Sequence, residues 1–370
     1  MYRRKELFKQ WLWLILGWVI FTNLFSSIMM TNLAVFIQVM DIKAEVEQNE
    51  LANYYISNYQ YLESTLFGVL FGTIFFFTNW AMEYTSIHKK SFGTIVLLKS
   101  FLYLASFIIV FILIYSVFRL SGFIPHESFV AFFKPEFFSW KFFLQLLLFF
   151  SIFIIATNFI QLTARKFGPG NMFSIFMGKY HKPIVEERVF IFIDLKSSTT
   201  YAEKLGHLQY SQMIQQCFHD LNIIIHRHKA EIYQYVGDEA VITWKMKDAL
   251  LNNNCLHLFY AFQNRLKRRE AVYRQKFDLV PEFKAAVHGG KVTAAEIGDI
   301  KREIAYHGDV LNTTSRLQQF CNSVSRNFLI TKELIDLLPD SKNFVFESLG
   351  HLQLKGKTNT IEAFTVTLKV

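Results

Sequence analysis

The sequence predicts two parts of different fold class: an α-helical membrane half, followed by an α/β domain of soluble character. Three observations predict it. The 370 residues are 52% hydrophobic and include 41 Phe, and the mean hydropathy is positive. Nearly all the long apolar runs fall before residue 163. From residue 184 onward, charges are interleaved with short strand-like and helix-like segments. A chain of this length is expected to hold one or two domains.

In the membrane half (1–163), four segments reach the roughly 20 apolar residues that a spanning helix needs. They run from about Trp11 to Val39, Leu62 to Met82, Thr94 to Phe118 and Phe142 to Leu162. The first follows Arg3, Arg4 and Lys5, as a signal peptide would. Its apolar run is too long for one, and no small-residue cleavage site follows. Lys99, near the start of the third segment, is expected to reach toward the membrane edge. The aromatic residues Trp11, Trp13, Trp18, Trp80 and Trp140 fit interfacial belts.

The formal charge of +9 raises the question of nucleic acid, and the positions of the basic residues answer it. Arg3, Arg4, Lys5 and Lys9 precede the first segment. Lys89 and Lys90 lie in the second loop, and Arg165, Lys166, Lys179 and Lys182 follow the fourth segment. The first loop is acidic, with Asp41, Glu45, Glu47 and Glu50. Basic flanks on alternate sides place both termini in the cytoplasm of a multi-pass protein of the inner or plasma membrane. Nucleic acid is not an expected partner; the lipid bilayer is. The basic run Arg265 to Glu270 lacks interleaved aromatics and reads as a solvated helix face.

Cys217, Cys255 and Cys321 show no CxxC spacing and read as reduced thiols of a cytoplasmic domain. His226 and His228 are two apart, so they share no helix face. Residues 164–186 form the linker, where Gly168, Pro169 and Gly170 interrupt any continuous helix.

The soluble domain (187–370) opens with a strand over Val189–Ile193 that ends at Asp194. A polar turn at Ser197, Ser198 and Thr199 then starts a helix. Backbone N–H groups at such a start suit phosphate oxygens. A carboxylate beside them repels phosphate unless a cation intervenes. Next, QYVGDEAVITW reads as strands over Tyr233–Val236 and Ala240–Trp244, with a tight turn at Gly237–Asp238. Asp238 is expected at the hairpin tip, exposed and rigidly held. If that hairpin lies beside the strand ending at Asp194, two carboxylates meet at one edge, which suits a hard divalent cation. Lys284–His288 and Val292–Glu296 read as two strands with a turn at Gly289–Gly290. A helix after Gly308 puts Asn312 and Arg316 on one face. A closing hairpin carries Lys355 and Lys357 near its turn.

Taken together and in this order, FIDLKSST, YVGDEAVITW, HGGKV with EIG, GDVLNTTSR and LKGK resemble the class III nucleotidyl cyclases, the adenylate and guanylate cyclase family. The resemblance spans about Glu187 to Val370. It implies an α/β catalytic domain, an α+β sandwich of ferredoxin-like type. It implies two divalent cations, Mg²⁺ or Mn²⁺, held by Asp194 and Asp238. Attack of the ribose 3′-hydroxyl on the α-phosphate of ATP would give 3′,5′-cyclic AMP and pyrophosphate. Asn312 would orient the ribose and Arg316 would stabilise charge on the α-phosphate. Lys355, or Lys357 in its place, would grip the outer phosphates. The family's site forms between two domains, so a homodimer with shared sites is expected.

The sequence departs from the family at the base-reading pair. Adenylate cyclases of this family usually place Lys where Gln234 stands and Asp or Thr where Ala305 stands. Guanylate cyclases usually place Glu and Cys there. Gln234 donates and accepts through its amide, whereas Ala305 offers no side-chain hydrogen bond. ATP is the expected substrate, with GTP the alternative. The turn also resembles the GGDEF signature of diguanylate cyclases, but that family has no counterpart of GDVLNTTSR or LKGK. A further alternative is a non-catalytic membrane sensor with a cyclase-like domain.

Overall fold

The structure is a computed structural model that describes residues 2–40, 59–84, 92–121, 148–158, 177–300, 302–339, 341–353 and 360–369, with 144 and 160. The chain divides into two compact units, Met1–Thr163 and Ala164–Val370.

The first unit contains α1 (Tyr2–Met40), α2 (Tyr59–Tyr84) and α3 (Phe92–Leu120), with a shorter apolar helix, α4 (Leu148–Asn158). Within the first three, Trp11–Asn32, Tyr61–Met82 and Gly93–Ile114 are long and apolar enough to cross a membrane. The ends of the fourth expected segment lie outside the described residues, as do the loop residues Asp41–Glu50, Lys89 and Lys90. Trp18, Phe71, Phe75, Tyr103, Phe107 and Phe150 pack into an aromatic core. Exposed Trp13, Leu97, Phe101 and Ile109 keep the outer faces apolar too, as helices in lipid require. Helices α1 and α2 approach closely. A Cβ on Gly68 would lie 2.6 Å from the Cα of Val19, and the Thr22 hydroxyl donates to the Ser64 carbonyl at 2.7 Å. Lys99 corrects the expectation of an ammonium at the membrane edge. It is buried and donates to Asn79 Oδ1 at 2.6 Å, so a polar residue on the neighbouring helix satisfies it inside the bundle.

The second unit is built on an eight-stranded sheet. In chain order its elements are β1 (Ile184–Leu195), α5 (Ser198–Ile225), β2 (Glu231–Val236), β3 (Glu239–Lys245), α6 (Met246–Leu250), α7 (Asn254–Arg268), α8 (Glu270–Phe277), β4 (Phe283–Ile297), β5 (Glu303–His307), α9 (Asp309–Ser323), β6 (Phe328–Thr331), α10 (Lys332–Ile335), β7 (Phe344–Leu352) and β8 (Ile361–Leu368). The strand order is β2-β3-β1-β4-β6-β8-β7, with β5 paired to β4. All the pairings are antiparallel except β4 with β6.

Strand β1 lies between β3 and β4 and is buried on both faces, which explains its continuous apolar run. Val189, Ile191 and Ile193 face a core shared with α5, α7 and α8. Phe190 and Phe192 face the other side, with Val292, Tyr306 and Val310. This alternation follows the period of two of a strand.

Four expectations are corrected here. Strand β1 starts at Ile184, so the last residues of the expected linker belong to the sheet, and Tyr180 before it is already buried in the core. Gly289 and Gly290 make no turn: β4 runs straight through them, paired with Val189 and Arg188. A Cβ on Gly289 would lie 3.0 Å from Val189 Cγ2, and one on Gly290 would lie 3.0 Å from Val310 Cγ2. These glycines serve close packing, the other use of glycine in a strand. The basic run on α7 is not wholly solvated. Arg265 Nε and Arg269 Nη1 reach Asp220 Oδ1 at 2.9 and 2.7 Å, while Tyr273 donates to Oδ2 at 2.8 Å. Finally, Ser197 stands before α5 with φ 52° and makes no side-chain cap bond, so Ser197 does not cap the helix.

Candidate active site

Asp194 is the last of the even-numbered β1 residues that follow Phe190 and Phe192, so it points to the face that carries α9. It sits in a row of three charges across the sheet. Its register partner on β3 is Glu239, and its partner on β4 is Lys284. The turn after β2 sets Asp238 next to Glu239, and Gly237 takes the positive φ (61°) that closes it. The hairpin and the β1 end therefore do meet.

Asp194 is held from two sides. Gln318 of α9 donates Nε2 to Asp194 Oδ2 at 2.8 Å, and Lys284 Nζ lies 3.2 Å from the same oxygen. Both partners are buried. Asp238 corrects a further expectation, because it is half-buried rather than exposed. Its Oδ2 is buried with no hydrogen-bond partner. An orphaned carboxylate oxygen of this kind is costly unless a cation or donor completes it.

The electrostatics follow from this crowding. Burial, then the charges of Asp194 and Asp238, push the Glu239 carboxyl up to about 7, opposed by Lys284. Burial, the Asp238 charge and hydrogen bonding to that carboxylate push the Tyr210 hydroxyl up to about 12. Tyr210 also approaches Ser198, which brings the start of α5 to the same place. Thr199 beside it is exposed. Among the described residues no three His, Cys, Asp or Glu side chains form a metal cage. Two carboxylates, one with an orphaned oxygen, fit a hard cation that takes its other ligands from water and substrate phosphates.

Asn312 and Arg316 lie on α9 but point elsewhere. At about 100° per residue, Arg316 is rotated about 200° from Gln318, and Asn312 about 240°. Gln318 is the residue that touches Asp194, so both expected substrate groups lie on the far side of the helix. Asn312 is exposed and Arg316 half-buried. Gln234 is exposed on β2, and Ala305 is buried on β5. Lys355 and Lys357 lie outside the described residues.

Sequence reading missed Lys284, Gln318, Tyr210 and Arg188. A lone Lys ahead of Ala-Ala-Val in a buried strand was the available signal for Lys284. Arg188 is 1% exposed. It donates to Glu231 Oε2 at 2.7 Å, to the Tyr306 hydroxyl at 2.9 Å and to Thr243 at 3.3 Å. It thereby ties β2 to β5, the two strands that carry Gln234 and Ala305. Tyr233 and Tyr306, their neighbours, meet edge-on at 5.1 Å.

The family model described as the adenylate and guanylate cyclase catalytic domain matches residues 182–367. The chain belongs to that family. Adenylate cyclase 2 of Rhizobium meliloti (strain 1021) is 35% identical over 194 residues, covering 52% of this chain and 53% of that protein. The chain thus spans about half the length of this relative. Among solved structures, a bacterial light-regulated adenylyl cyclase gives a TM-score of 0.52 at 18% identity, over 61% of this chain and 66% of that one. The adenylyl cyclase CyaB from P. aeruginosa gives 0.46 at 18% identity, over 51% and 97%. The light-regulated cyclase supports the cyclase fold of the second unit.

Proposed function

We propose that this chain is a membrane-anchored adenylate cyclase that acts as a homodimer. The observation that carries the reading is the meeting of Asp194 with Asp238, whose buried Oδ2 lacks a partner. Mg²⁺ or Mn²⁺ ions held by these two carboxylates would acidify the ribose 3′-hydroxyl and neutralise triphosphate charge. Gln318 and Lys284 occupy Asp194 Oδ2, which leaves Oδ1 for a cation. Arg316 supplies a fixed positive charge for the α-phosphate and Asn312 positions the ribose; Lys355, or Lys357, holds the outer phosphates. Because Arg316 and Asn312 face away from their own Asp194, these groups serve the aspartates of a second copy. The backbone at Ser197, Ser198 and Thr199 binds phosphate oxygens beside Tyr210.

The identity to a named adenylate cyclase favours ATP. Gln234 can read either purine through its amide, and Ala305 adds no side-chain hydrogen bond. The three apolar helices support a multi-pass anchor in the inner or plasma membrane; a fourth span over Phe142 to Leu162, with the basic flanks, would put both termini in the cytoplasm. The test is full-length protein in detergent, incubated with Mn²⁺ and ATP or GTP beside Asp194→Ala. Cyclic AMP that disappears in the variant supports the reading. Cyclic GMP alone keeps the mechanism and replaces the substrate. No product from a dimeric, folded protein points to the non-catalytic sensor.

A further inference from the structure

Lys284 is oddly placed for a structural residue. It lies on β4 between Phe283 and Ala285, is 7% exposed, and is the register partner of Asp194. Burying an ammonium is costly. Its Nζ is shared between Asp194 Oδ2 at 3.2 Å and Asn322 Oδ1 at 3.1 Å. Satisfying Asp194 did not require that charge, because neutral Gln318 already donates to the same oxygen at 2.8 Å. Across the row, Glu239 and Asp238 add two more carboxylates.

We infer that Lys284 is a built-in counter-cation that holds down the affinity of the Asp194–Asp238 pair for free divalent metal, so that metal loads together with nucleotide. The inference rests on the reading of those two aspartates as the cation ligands. A cation arriving alone must share Asp194 with an ammonium that already neutralises it. A cation arriving on a polyphosphate brings its own compensating anion, so the ammonium costs it less. Lys284 is thus a positioning residue for Asp194 and a filter on what binds there.

The experiment is a Mn²⁺ titration of full-length protein in detergent without nucleotide, followed by electron paramagnetic resonance of the free ion. Lys284→Gln keeps a hydrogen-bond donor and removes the charge. Its Mn²⁺ affinity should rise about tenfold, a modest share of what a unit charge at this range exerts. Lys284→Arg should stay near wild type. Asn322→Asp, a change on an exposed residue, gives the ammonium a second carboxylate and should also tighten Mn²⁺; it decides the matter if Lys284→Gln does not fold. A Lys284 whose part was to hold Asp194 in place would lose Mn²⁺ affinity or leave it unchanged when replaced by Gln. Unchanged, weaker or undetectable Mn²⁺ binding in these two variants overturns the inference. Mn²⁺ binding that Asp194→Ala does not weaken overturns the metal reading itself, and the inference with it.

Discussion

The rotation of Arg316 about 200° from Gln318 on α9 makes a quantitative prediction about mixed dimers. Asp194→Ala removes a cation ligand and leaves the arginine intact. Arg316→Ala does the reverse and should cost about 10²–10³ in rate, the loss typical of one preorganised donor to a developing charge. Neither homodimer then holds an intact site. Co-expressed at equal levels, the two chains pair at random, so about half the dimers are mixed. Under two-fold symmetry each mixed dimer has one doubly damaged site and one intact site. Recovery should therefore reach about a quarter of wild-type activity in membranes. It should reach about half per dimer after sequential purification on two different tags. Production of cyclic AMP is the assay. If sequentially purified mixed dimers are as inactive as the parents, a single chain builds its own site and the geometric argument on α9 is wrong.

Three other predictions concern the frame around the site. Asp220→Ala strands the Tyr273 hydroxyl and two arginines that converge on a fully buried carboxylate. It should cost about 3 kcal/mol, read as a fall of roughly 6–12 °C in the thermal midpoint of the second unit; a fall of under a degree would count against it. Gly289→Val puts a branched side chain where a Cβ alone already lies 3.0 Å from Val189 and 3.2 Å from Leu334. It should destabilise by about 1–3 kcal/mol, read as a lower midpoint in denaturant unfolding; an unchanged midpoint would contradict the close packing. Burial pushes the Cys217 and Cys255 thiols up to about 12, leaving about one thiolate in 10⁴ at pH 8. Maleimide should label them only as the domain unfolds, and labelling of folded protein within minutes would contradict that burial.

How far the site could be read in advance depended on whether a signal was local. The Gly-Asp turn inside QYVGDEAVITW was legible because a tight turn and two β-branched runs lie within eleven residues. So was the helix face shared by Asn312 and Arg316. Lys284, Gln318 and Asp194 come from three elements spread over more than a hundred residues, and no spacing rule joins them. Gly289–Gly290 misled for a different reason. Glycine marks either a turn or a close approach, and only the cross-strand neighbours Val189 and Arg188 decide which. Arg265 and Arg269 looked like part of a solvated run because Asp220, their partner, lies on another helix. Asp238 looked exposed because a hairpin tip usually is, yet it is half-buried with Tyr210 of α5 nearby.

Strand β1 explains why these distant pieces arrive in register. Arg188 and Asp194 are six residues apart, about 20 Å along a strand, and both are even-numbered. They share the face of Phe190 and Phe192, opposite the core packed by α5, α7 and α8. Near the middle of the strand Arg188 gathers Glu231, Tyr306 and Thr243, and so fixes the strands that carry Gln234 and Ala305. Near its C-terminal end, Asp194 gathers Lys284 and Gln318 beside Asp238. A one-residue slip of β1 would turn both charges into the apolar core and bring Val189, Ile191 and Ile193 out of it. The penalty for burying two unpaired charges makes that slip prohibitive. The same polar residues that serve the proposed chemistry therefore fix the register of the strand that holds them. This is a reason for a central strand, buried on both faces, to carry an arginine near its middle and an aspartate near its C-terminal end.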